Sequence, residues 1–125
     1  MKLATLTLAT ALIAGVASAQ PAAFDPGATT FAGWVRIAGG EFQLYQTQRQ
    51  VQIPFARPCV SGALPRDLQR GAGDIDGAQV TFTGRAVAWT ARGTSPVLRH
   101  EGSVIRNDCG GTHVIQADDV RVLGS

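Results

Sequence analysis

From Gly33 onward the apolar positions of this chain mostly recur every second residue, which is the period of a strand and not of a helix. In "GWVRIAGGEFQLY", residues 33–45, Val35 and Ile37 alternate with Trp34 and Arg36, Gly39 and Gly40 interrupt, and Phe42 and Leu44 alternate with Glu41, Gln43 and Tyr45. Two alternating runs around a two-glycine break predict a β-hairpin. The alternation continues in "QVQIPF", where Val51, Ile53 and Phe55 share one parity and Pro54 points to an edge strand.

The pattern then breaks. Val60–Ala63 finishes a short strand entering from Cys59, and "LPRDLQRG" predicts one or two helical turns with Pro65 inside the first turn and Gly71 just past the end. "DIDG", residues 74–77, predicts a turn; it opens like a calcium loop but lacks the further acidic ligands and the closing Glu. In "AQVTFTGRAVAWT" Val80 and Phe82 share one parity while Val87 and Trp89 take the other. Gly84 lies at the change, and a bulge or bend at Gly84–Arg85 would turn all four inward. Residues 91–96 read as a loop, and 97–107 as a partner strand with Leu98, His100, Gly102 and Val104 on one parity. Asp118–Asp119 divides the final apolar run into two short strands, so the last three segments are expected to form a meander.

These elements predict an all-β fold, a small antiparallel barrel or sandwich of six to seven strands with one short helix and one disulfide. A short helix set between two groups of strands resembles the element order of an OB-fold barrel. The resemblance rests on that order alone, and it implies no oligonucleotide or sugar ligand. Residues 20–32, with two prolines and no periodicity, are expected to be a flexible lead-in, and 33–125 a single domain.

The first nineteen residues fit neither pattern. Lys2 precedes an uncharged apolar run from Leu3 to Val16, and Ala17-Ser18-Ala19 supplies small residues for cleavage before Gln20. That is the form of a secretory signal peptide, and it predicts a periplasmic or extracellular protein with no integral membrane segment after cleavage. The same cut removes the one lysine, leaving ten arginines against nine acidic residues. A near-neutral chain with dispersed arginines predicts no nucleic-acid partner.

Export also decides how the two cysteines are read. Cys59 and Cys109, fifty positions apart, are expected to form a disulfide, which the loop-closure estimate puts at about 4 kcal/mol. Two other readings stay open: a Cys₂His₂ metal site with His100 and His113, and a reactive Cys109 thiol assisted by either histidine. Neither the nucleophile elbow, the phosphate loop nor the HExxH pattern occurs in the sequence. His100 on an apolar parity is expected to be hydrogen-bonded and partly buried. Glu41, Glu101, Asp108, Asp118 and Asp119 supply carboxylates without a recognisable partner.

Function is therefore expected to be non-catalytic, with no cofactor or metal: a binding module for an envelope protein or glycan. Its candidate contacts are Trp34, Arg36 and Tyr45, if the aromatics are exposed, and Ser61 and Arg66 in the segment leading to Gln69. Burial of both aromatics, with Trp34 under the lead-in, is the reading that the size of these side chains favours. An inhibitor of an exported hydrolase acting through Cys59–Gln69, and a small hydrolase or thiol enzyme using Cys109 and His100, are the alternatives.

Overall fold

The computed structural model describes residues 24–54, 56–90 and 97–124. The expected signal segment, Phe55 and the expected loop at 91–96 lie outside them. β1 (Thr30–Ala38) and β2 (Glu41–Tyr45) form the expected hairpin about Gly39–Gly40, with Ala38 opposite Glu41 and Trp34 opposite Tyr45. β1 starts inside the segment expected to be a lead-in, because Phe31 is fully buried and Phe24 meets its ring edge-on at 6.3 Å.

Residues 48–51 depart from the expected edge strand and form a helical turn, α1 (Gln48–Val51). The cause is local. Thr47 accepts the Gln50 backbone N–H at 3.2 Å, and the Gln50 side chain accepts the Thr47 N–H at 3.2 Å. This reciprocal capping box satisfies donors that a helix start leaves unpaired. Val51 turns inward while Ile53, expected on the same face, is 48% exposed.

β3 (Val60–Ala63) leads into α2 (Arg66–Arg70), which ends at Gly71 as expected and has Pro65 at its N-cap, one position before the first turn, and then into a 3₁₀ turn at Ala72–Ile75. Asp76, in the calcium-like stretch, accepts the Ile37 N–H at 2.8 Å and so ties that turn to β1. β4 (Gln79–Ala88) and a last strand, β7 (His113–Gly124), complete a closed barrel in the order β1-β2-β3-β7-β4. Between them lies a separate hairpin, β5 (Leu98–His100) and β6 (Ser103–Ile105). All barrel pairs are antiparallel except β3 with β7, which run parallel through Gly62 opposite Ile115 and Ala63 opposite Gln116. With α2 between β3 and β4, this path resembles that of the OB-fold barrel. Closure removes the free sheet edges that an open five-stranded sheet would expose.

Phe31, Val35, Phe42, Leu44, Val80 and Phe82 fill the barrel, and Phe42 and Phe82 stack with centroids 3.9 Å apart. Each such side chain contributes about 1.5–3 kcal/mol by leaving water. The expected irregularity occurs at Gly84, but the extra residue is on the partner strand. Thr83 pairs with Asp119 and Gly84 with Ala117, leaving Asp118 bulged in β7. The parity of β4 is therefore unbroken, whereas β7 switches from Ile115 and Ala117 to Val120. Gly84 is required there because a Cβ would sit 2.2 Å from the Gln116 carbonyl oxygen.

Two further expectations need correction. β7 is one bulged strand and not two, and β4 pairs directly with it, so the last segments are not a meander. Residues 98–105 fold back on themselves at Glu101–Gly102, whose φ angles of 48° and 87° suit a two-residue hairpin turn. Val87 and Trp89 consequently face outward, packed with Ala63, Ile105 and Val114 beneath this hairpin, and do not join Val80 and Phe82.

Candidate functional site

The disulfide organises one end of the molecule. Cys59 stands just before β3 and Cys109 in the loop between β6 and β7; they are bonded, with Cα atoms 5.5 Å apart. Neither cysteine is therefore a free thiol in this state.

A buried carboxylate fixes the Cys109 loop. Glu41, fully buried at the start of β2, accepts backbone N–H bonds from Arg106 at 2.6 Å, Asn107 at 3.2 Å and Asp108 at 3.0 Å. Three converging donors compensate the desolvation of a side chain that is otherwise costly to bury. The Cys109 N–H donates to the buried Ser61 hydroxyl at 3.0 Å. Asn107, at φ 60°, donates from its side chain to the Gly111 carbonyl at 2.9 Å. From the other side Arg57 donates to the Asp108 carbonyl at 2.9 Å, with its guanidinium 3.9 Å from the Cys59 sulfur. The Arg106 guanidinium meets Asp108 at 3.2 Å; that hydrogen bond and the carboxylate's charge hold its pKa above the ordinary value.

Beside the disulfide lies an apolar pocket of about 350 Å³. One wall is Pro58, Cys59 and Val60, and the facing wall is Gly111, Thr112 and His113. Phe24 and Pro26 cover one side, and Phe31, Ala86 and Ile115 form the rest. The parallel β3–β7 ladder spans only two residue pairs, further along both strands, so the segments entering those strands line an opening and are not paired. The disulfide joins one wall to the loop that carries the other. His113 is the one titratable lining group among the described residues, and its Nδ1 lies 3.0 Å from the Thr112 hydroxyl.

A second, polar cleft of about 640 Å³ follows the β7 bulge and is lined by Arg85, Arg99, His100, Glu101, Gln116 and Asp118. His100 is half-buried, and its Nε2 lies 2.7 Å from the Ala117 carbonyl oxygen, so that nitrogen donates. The two cavities share no lining residue.

The residues singled out from the sequence do not form one surface. Tyr45 is fully buried, and Trp34, its partner across the hairpin, is half-buried; both pack with Val51 and the disulfide and not as an open aromatic face. Both faces of this hairpin are covered, one by the barrel interior and one by the disulfide cluster. Trp34 packs in that cluster with Ala56. Arg36 donates to the Val51 carbonyl, tying α1 to β1. Ser61 is buried under Cys109. Arg66 is exposed, and its backbone N–H donates to the Glu101 carbonyl at 2.9 Å, docking the β5–β6 turn on α2.

Cys59–Gln69 is not a projecting loop: Ser61 to Leu64 and Gln69 are buried, with Arg66, Asp67 and Leu68 outside. Glu41 carried no partner signal in the sequence, since its three donors lie 65–67 residues away. The apolar pocket was missed for the same reason. Its walls meet through the fold, although the cysteines that join them were visible.

Compared with models of known protein families and with curated proteins, the chain matches none.

Proposed function

We propose that the protein is an exported, non-catalytic binding module whose disulfide-side pocket takes an apolar side chain of a partner protein. The observation that carries this reading is the mostly apolar pocket of about 350 Å³, with Thr112 and His113 as its polar side chains, between two segments held together by Cys59–Cys109. Its size falls within the range of specific small-group sites, and an apolar lining favours an aliphatic or aromatic group over a sugar. The disulfide, Glu41 and Ser61 hold the pocket's walls before any partner arrives, which lowers the ordering cost of binding. Export rests on the pattern of residues 1–19 and on a disulfide that an oxidising compartment would preserve. Among the described residues no helix is long and apolar enough to cross a membrane.

The test uses N-acetyl-leucinamide as the apolar probe and N-acetyl-glycinamide as the control, titrated calorimetrically. Thr112 lies on the rim and is exposed, so Thr112→Trp is expected to fill the pocket while leaving the barrel folded. Saturable binding of the leucine probe alone, lost in Thr112→Trp at unchanged melting temperature, is the expected result. Equal heats from both probes, or binding unaffected by the substitution, would refute the reading.

A further inference from the structure

The polar cleft at the β7 bulge is a separate volume with a different chemistry. Arg85 and Arg99 supply two positive charges to its lining, and Glu101 and Asp118 two negative ones. All four side chains are exposed, and none pairs with another: among the described residues the one ion pair is Arg106–Asp108, outside the cleft. Arg85 donates from Nε to the Gln116 side-chain oxygen at 3.1 Å, which fixes the direction of its guanidinium.

The backbone explains why these charges stay apart. Asp118 is the bulged residue of β7, and a bulge re-aims its side chain out of the regular alternation. Arg99 and Glu101 come from the β5–β6 hairpin, which is anchored at Arg66 through the Glu101 carbonyl and at Leu64 through the Ser103 hydroxyl, 2.7 Å away. His100 anchors the same hairpin to Ala117 beside the bulge. Two charges therefore belong to the barrel wall and two neighbour or form the hairpin turn, with about 640 Å³ between. Gly84 adds no side chain to this volume.

We propose that this cleft binds a dipolar small molecule carrying both an ammonium and a carboxylate, specifically a free short peptide. The arginines receive the carboxylate, for which a guanidinium offers paired donors. Glu101 and Asp118 receive the ammonium. The site is independent of the apolar pocket, and the Thr112→Trp substitution leaves it untouched.

The probe is L-alanyl-L-alanine, followed by amide and arginine Nε–H chemical shifts on the intact oxidised protein. Two companions carry a single block each: the C-terminal amide, and the N-acetyl form, which mimics the end of a longer chain. Saturable shifts at Arg85, Gln116 and Asp118 are expected, with each block weakening binding about fivefold, the size of one partly exposed charge contact. Arg99→Gln should reduce the penalty for the amide, and Asp118→Asn should reduce the penalty for the N-acetyl form. Equal affinity for free and blocked forms would overturn the proposal, as would shifts elsewhere or no saturation. An N-acetyl form that binds as well as the free dipeptide would overturn it too, by showing that only a carboxylate is read.

Discussion

Glu41→Gln tests the physical basis of the disulfide end most sharply, because it keeps the size of the side chain and changes only what one of its two polar atoms can do. In the folded protein one Glu41 oxygen accepts from Arg106 and Asn107, and the other from Asp108. An amide can satisfy one oxygen's share; its NH₂ must then face a backbone N–H, donor against donor. The substitution leaves at least one donor unpaired against a fully buried side chain and removes the charge that strengthens the others. An unpaired buried donor costs about 1–3 kcal/mol, and losing charge assistance adds to it, so the expected loss is about 2–4 kcal/mol. Urea unfolding at constant protein concentration should show the midpoint falling by about 1–2 M with the slope retained. Native-state hydrogen exchange should show Arg106, Asn107 and Asp108 amides losing protection relative to β4 and β7. A loss below about 0.5 kcal/mol, within the range of an ordinary surface change, would refute the reasoning.

Reduction of Cys59–Cys109 should lower unfolding stability by about 4 kcal/mol, the loop-closure value for fifty residues, measured by urea unfolding with and without reductant; an unchanged midpoint would contradict it. Gly84→Ala should cost about 3 kcal/mol or more, because its Cβ would lie 2.2 Å from the Gln116 carbonyl oxygen and the neighbouring atom is backbone, which cannot swing away. Thr47→Ala should cost about 1 kcal/mol in thermal unfolding through loss of the α1 cap; a neutral result would mean that Val51 packing alone holds that turn.

The strands were legible where one face meets the core and alternation is clean, as in β1, β2 and the first half of β4. Parity alone does not report exposure where both faces are covered, and there the burial expected of large aromatics holds. Trp34 and Tyr45 take the parity opposite Val35 and Leu44, yet they pack into a second cluster around the disulfide. Val87 and Trp89 also keep their own parity and are sheltered by a hairpin inserted between β4 and β7. The irregularity at Gly84 was visible because glycine marks close approach, but a sequence cannot say which of two paired strands holds the extra residue. In "QVQIPF" two-residue alternation suggested a strand, and the Thr47–Gln50 capping box outweighed it over one turn. Among the site features, the cysteine pair was readable from composition and compartment. Glu41, the pocket and the cleft depend on contacts between segments far apart in the chain, and no local spacing encodes them.

An apolar group is expected to enter the pocket tied together by the disulfide. Intermolecular nuclear Overhauser effects between N-acetyl-leucinamide methyls and the intact oxidised protein test it most directly. Contacts to the methyls of Val60, Ala86 and Ile115, which line the pocket, are expected. Contacts confined to Val122 and Leu123, the exposed apolar residues near the end of β7, would contradict it and reduce the interaction to adhesion at a hydrophobic surface.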